Sequence, residues 1–417
     1  MNPSNAVLAV AALLLGACGP SKSDPIQGGS AGSTTADAGS GGASAAGAAG
    51  VSGARGGIAG SDSSGSAGSA SAGGSGAVAV GTCTPPKDVF SPIETLSQTG
   101  CVDPSDPRKP VAHAIGYELN SPLWSDSADK TRALVLPSGA KIHVRDCLLN
   151  ASDCPMGASD DGRWDFPVGT VLIKIFLFDS KLVETRLFMH VDADNWVGYG
   201  YQWDEQQTDA KLITDRTSVT FNTGTRSVPW SYPSQQDCMT CHTQSGGSSL
   251  GPETAQMNRM VGSENQIDHF ASLGLFETPP SKPYKTALVT PYPGQLGSPA
   301  PGATVEQKAR SYLHANCAFC HRPGGTFALF DLRYDTPLKD TKICNVTINK
   351  APIPSAPDKS LVLKPGSSAD SVMWLRMKEL DPDRGRMPQI GSYAADADAL
   401  SLVGSWIDSL SNTDCAR

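Results

Sequence analysis

Two kinds of apolar pattern divide the chain. From Cys83 to about Trp230 the apolar residues come in short runs suited to strands. Val171–Phe178 is a long run of β-branched and aromatic residues, and runs over 182–191 and Trp196–Trp203 follow it after turn residues. Residues 141–145 alternate in period two, and 218–221 reads as one more strand. Pro, Gly and Asp punctuate these runs at a spacing that predicts an antiparallel sandwich. No strand–helix alternation calls for a parallel sheet. After Trp230 the pattern turns helical and loop-rich. Ile267, Phe270 and Leu273 recur at helical spacing, and Thr304-Val-Glu-Gln307 has the form of a capping box opening a helix with Val305, Ala309, Tyr312 and Leu313 inward. Further helices are predicted over 371–380 and 396–410, the last with Leu400, Val403, Ile407 and Leu410 on one face. Seven prolines between Pro279 and Pro301 predict a linker.

The N-terminal residues follow neither pattern. Residues 6–15 form one apolar run, too short to span a bilayer, that ends in Leu15-Gly16-Ala17-Cys18. That ending resembles the bacterial lipobox, which predicts a signal over 1–18 and a lipid on the Cys18 thiol; the alternative is an ordinary secretory signal with an incidental Cys. Both readings predict export. Residues 19–80 are mostly Gly, Ser and Ala and have almost nothing to bury, so a disordered tether is expected, spanning roughly 40–47 Å r.m.s.. The chain carries a net charge of -8, of which Lys22 and Arg55 against Asp24, Asp37 and Asp62 contribute -1. That sign argues against nucleic acid as a partner and suits docking to a basic protein surface.

Eleven cysteines are many for a reducing compartment. Four stand in Cys238-Met-Thr-Cys241-His242 and Cys317-Ala-Phe-Cys320-His321, both of the form C-x-x-C-H. Two cysteines three apart reach the two vinyl groups of one haem, and the adjacent His sits beneath the iron. The Cys and His frequencies give on the order of 0.005 such pentads by chance. A four-cysteine zinc site usually has about 15–20 residues between its pairs, whereas 75 separate Cys241 from Cys317. A thioredoxin-like reading leaves both histidines unexplained. The pentads therefore predict two covalently bound haem c groups. Apart from Cys18, six cysteines remain; fifteen pairings are open to them, and local spacing favours Cys83–Cys101 and Cys147–Cys154, leaving Cys344–Cys415.

The region around the second pentad resembles a class I cytochrome c domain. The likeness is carried by Tyr312-Leu-His-Ala-Asn-Cys-Ala-Phe-Cys-His321, Gly324-Gly325, Lys364-Pro-Gly-Ser-Ser, Arg376-Met377, Arg386-Met-Pro388 and Trp406-Ile407. In that family the Met of the Met-Pro pair is the sixth iron ligand, which implies Met387 here. Leu119-Asn-Ser-Pro-Leu-Trp-Ser-Asp126, Trp164-Asp-Phe-Pro-Val-Gly-Thr170, Glu184-Thr-Arg-Leu187 and Gln207-Thr-Asp-Ala210 extend the likeness to an uncharacterised family of exported di-haem cytochromes, over roughly Cys83 to Cys415. The resemblance implies electron transfer, with a dehydrogenase or another cytochrome as redox partner. The fold class expected is α+β multidomain: an N-terminal antiparallel β-sandwich-like domain over 83–230, a first haem segment over 231–278, a linker over 279–303 and a second haem domain over 304–417, the haem domains mostly α-helical.

The first pentad has too little chain around it for a complete cytochrome c fold, so its pocket is expected to borrow walls. Met257, Met260, His269 and His190 are candidates for its sixth ligand, with Met260 favoured because Met257 more easily joins an apolar face. Two functions follow. One is an electron carrier at the cell envelope, lipid-anchored, without a substrate of its own. The other is a haem enzyme, peroxidase-like, using a weakly ligated first haem. A copper enzyme would need clustered histidines, and His113, His143 and His190 are scattered with no H-x-H pair.

Overall fold

Strand-forming residues gather into one antiparallel meander. Its members are Ile115–Gly116 (β1), Asp129–Val135 (β2), Val171–Phe178 (β3), Lys181–His190 (β4), Trp196–Trp203 (β5) and Ala210–Leu212 (β6), lying side by side in that order. A hairpin of Thr217–Thr223 (β7) and Arg226–Tyr232 (β8) follows, and its Val228, Trp230 and Tyr232 pack on Phe176, Phe178 and Val183. This computed structural model describes residues 82–146, 162–223, 226–292, 302–348 and 353–416. Cys18, the tether over 19–80 and the Cys147–Cys154 pair lie outside the described residues.

Both faces of the sheet are covered, which is why β3 reads as an apolar run rather than an alternation. Ile173 and Ile175 enter a core with Leu187, Tyr199 and Tyr201, closed by Leu96, Val102 and the Cys83–Cys101 disulfide. Leu172 and Phe188 face the other way, into a core with Leu134, Trp164, Ile267 and Phe270. β2 and β8 escape a reading by periodicity for opposite reasons. The first half of β2 is Asp-Lys-Thr-Arg, and β8 contains Pro229, which donates no ladder hydrogen bond.

Among the described residues six α-helices follow: Gln235–Cys241 (α1), Thr254–Met257 (α2), Gln266–Ser272 (α3), Val305–Cys317 (α4), Val372–Lys378 (α5) and Ala397–Ser409 (α6). α3 to α6 fall where the periodicity places them. The Thr304/Gln307 capping box forms, with Gln307 N donating to Thr304 Oγ1 at 3.1 Å and Thr304 N to Gln307 Oε1 at 2.9 Å. Val305, expected inward, is exposed instead. α4 and α6 share a core through Ala309, Leu313, Val403 and Ile407, and the Cys344–Cys415 disulfide ties the chain's last turn to it.

The expected fold class is corrected on two counts. The β region is no sandwich: among the described residues one sheet has six strands and every other has two. The sheet's covering layers are two-stranded ribbons, irregular chain and helix. The later chain is not mostly helical either. Its helices run from four to thirteen residues, and none of the α-helices lies between α4 and α5. That interval is rich in Gly, Pro, Asp and Asn, which favour turns. Its apolar residues Leu332, Leu338, Ile343, Val362 and Leu363 still enter the core, from loops.

All described residues belong to one unit, 74–417, and one segment clasps its two halves. Ser121 Oγ donates to Ser311 O at 3.0 Å, and Trp124 N donates to Asn316 Oδ1 at 2.7 Å, both on α4. Buried Asp126 accepts from Tyr393 N and Ala394 N, each at 2.8 Å. The Pro-rich stretch is packed down as far as it is described: Leu288 and Tyr292 are buried, and Leu288 N donates to Ala255 O at 2.9 Å.

Candidate haem-attachment sites

The first pentad is built on α1. Asp237 Oδ2 accepts from Ser234 N at 2.8 Å, closing the helix's first turn, and from Arg216 Nε at 2.9 Å. Cys238 and Cys241 share one helix face, three residues apart, and His242 follows as the C-cap, its N–H donating to Cys238 O at 3.0 Å. α1 lies hard against β5. A Cβ added at Gly198 would stand 2.5 Å from Cys238 Sγ, so only glycine admits the helix there.

The second pentad is built at the end of α4. Cys317 is the last helical residue, and His321 N donates to Cys317 O at 2.9 Å. A Cβ added at Gly325 would collide with the Cys320 carbonyl, so this turn also needs glycine.

The two histidines are held alike. His242 Nδ1 lies 2.5 Å from Ser248 O, and His321 Nδ1 lies 3.2 Å from Phe327 O, in each case a carbonyl six residues downstream. A carbonyl only accepts, so Nδ1 carries the proton and Nε2 keeps its lone pair. This is the tautomer and second-shell support that a metal-ligating imidazole needs. Burial, aided by the nearby Lys174 ammonium, pulls the His242 imidazole down to about 3; burial also lowers that of His321. Both rings are therefore neutral, the ligating form.

The four cysteines are free of disulfides. Burial pushes the Cys238 thiol up to about 11 and those of Cys241 and Cys317 up to about 12; it raises Cys320 as well. Redox-active C-x-x-C pairs work through a thiolate, which burial disfavours at these sites. Among the described residues no three His, Cys, Asp or Glu converge on a metal-sized site. This donor set fits two thioether attachments with one imidazole at each pentad.

Cys238, Cys241 and His242 line one cleft with about 1410 Å³ of empty space, part of it open to solvent. One wall is the sheet, through Leu172, Phe176 and Phe188, whose ring lies 3.9 Å from that of His242. Across from it stand Leu250, Phe319 and the loop from Pro382 to Tyr393. That loop also walls the second site: Arg386, Pro388 and Ser392 line both, and Cys317, Met377 and Met387 share a smaller cavity of about 380 Å³ of empty space. Cys320 and His321 lie outside that lining, the His321 ring stacked on Phe330 at 4.4 Å. The pentads adjoin each other: Arg322 Nη1 donates to Ser245 O at 3.2 Å, and Phe319 of the second motif lines the first cleft.

The sixth-ligand candidates at the first pentad fare differently from Met387. Met260 is 59% exposed on a short ribbon and lines neither cleft, so the expectation that it ligates is corrected: its side chain points to solvent. Met257 is fully buried in the sheet's second core, and Gln266 Nε2 donates to its sulfur at 3.3 Å. His269 pairs with Glu264 at the surface. His190 Nδ1 donates to Phe166 O at 2.8 Å, and the ring stacks on Trp196. None of the four lines the first cleft, and among the described residues His242 is the one His or Met there. Met377, beside Met387, was missed as a second sulfur; its place on the inner side of α5 is the signal that would have found it. No protein-family model, curated protein or solved structure matches the chain.

Proposed function

We propose that the chain is a di-haem c-type cytochrome that carries electrons at the cell envelope, exchanging them with a dehydrogenase or another cytochrome. Export and a lipid on Cys18 belong to the same reading. The observation that carries it is the repetition of one donor set: two C-x-x-C-H pentads, each with disulfide-free thiols and a His whose Nδ1 is anchored on a carbonyl six residues downstream. Haem bound at each would supply a reversible one-electron couple. The chain's own residues do the rest. The thiols provide the thioether sulfurs, and Nε2 of His242 and His321 provides the fifth ligands. Met387 presents sulfur at the second site, and Phe319 with the loop from Pro382 to Tyr393 shields the first from water. Adjoining pentads favour transfer from one haem to the other, and the net charge of -8 suits a basic docking partner.

A second reading, a peroxidase-like enzyme, draws on one observation: among the described residues no Met and no second His lines the first cleft. An iron there would keep a position open to a small ligand.

Denaturing-gel haem staining with intact mass tests the main reading. Protein matured with the attachment machinery should gain two haems, and one on removal of either cysteine pair by Cys→Ala. A gain of one haem or none in wild type contradicts it.

A further inference from the structure

Three cations stand in register across the buried face of the sheet. Arg132 on β2 is paired with Lys174 on β3, and Lys174 with Arg186 on β4. Like charges directly opposite on one face repel, and the neighbouring strands hold them about 4.8 Å apart. Only Arg186 has a counter-ion, its Nε and Nη2 lying 2.6 and 2.8 Å from the Glu184 carboxylate. That carboxylate also accepts from Trp230 Nε1 at 3.1 Å. Arg132 is 5% exposed, and its Nε is buried without a partner. Lys174 has neither hydrogen bond nor ion pair among the described residues, and neither does any carboxylate come within ion-pair reach of Arg132. Arg132 is thus buried and Lys174 half-buried without an ion-pair partner, and burial with the two neighbouring guanidinium groups pulls the Lys174 ammonium down to about 7, an arrangement that an anion joining the row would relieve. Lys174 and Arg186 line the cleft of the first pentad, and Arg132 and Lys174 line the cavity beside it.

We propose that this row is a dicarboxylate site that receives the two propionates of the haem held by Cys238, Cys241 and His242. The inference rests on the haem reading above. Two unpaired cations meet two carboxylates on one ligand, so the charge balances. Lys130, on the same strand as Arg132, lines the same cavity and donates to Leu123 O, and burial pulls its ammonium well down. Positive charge beside the propionates favours the reduced haem, so the row raises that haem's potential.

The test uses the full chain with both haems attached. Lys174→Met and Arg132→Met should each retain two haems by mass and move one of the two reduction waves to lower potential, while Lys174→Arg leaves both in place. Waves unmoved in both Met variants overturn the proposal. Titration of wild type with inorganic phosphate at constant ionic strength needs no variant and separates the two sources of anion. Filled by propionates, the row gives no saturable shift of either wave. A saturable shift means that a free anion occupies the row, and the proposal falls. Failure of the haem reading itself would show separately, as missing haem mass.

Discussion

The two pentads share a motif and a histidine anchor but differ in their walls. The second is enclosed by its own stretch of chain: α4, α5 and α6 surround Cys317, and Met377 and Met387 line the same small cavity. The first has one short helix of its own and takes its walls from the sheet and from a loop about 140 residues later. Among the described residues the first therefore sits beside cations with no methionine in its lining, and the second beside two methionines. On the haem reading, a short motif would specify attachment and the fifth ligand, and distant chain the sixth position and the charge around it.

The largest expected effect on this contrast is at Met387. Met387→Ala should abolish the near-infrared sulfur-to-iron band and lower one potential, leaving the other unchanged. If the band persists and Met377→Ala removes it instead, the neighbouring sulfur is the ligand. Next in size is the disulfide that closes the second module. Replacing Cys344 and Cys415 by Ser should cost about 2–5 kcal/mol in denaturant unfolding; equal loss of native absorbance at both haems would show that the modules unfold as one. Gly198→Val bears on the first site alone. The added atoms meet Cys238 Sγ, and overpacking of this kind costs about 1–3 kcal/mol. Thermal unfolding should fall, with occupancy of the first pentad reduced and that of the second kept.

The smallest effect is one of pH. The Arg216 hydrogen bond holds the Asp237 carboxyl down to about 2, against burial, which raises it. A carboxylate whose folded pKa is depressed stabilises above its ordinary range and loses that contribution as pH falls toward the folded value. Between about pH 4 and 2 the first turn of α1 should weaken, so the first haem's absorbance should change before the second's. Asp237→Asn should remove the difference; an unchanged order in the variant would assign it elsewhere.

Much of this was legible in the sequence. β3, β5, α4 and α6 follow from periodicity and capping, and both pentads from their spacing. Two disulfides follow from the cysteine count and local separation. What stayed hidden depends on register and on long-range contact. The cation row joins residues 132, 174 and 186, which carry no signal until three strands are aligned. The Met260 expectation fails because proximity in sequence to the first pentad does not place its side chain in the cleft. The helical expectation fails because apolar residues between α4 and α5 reach the core without regular structure.

The inequality of the two iron sites is tested most directly by carbon monoxide titration of the reduced, fully loaded protein. With no Met or second His of the described residues in the first cleft and Met387 the proposed ligand at the second site, one equivalent should bind per chain in wild type and two in Met387→Ala. Binding by wild type of two equivalents, of none, or of one at the Met387 site would contradict the account.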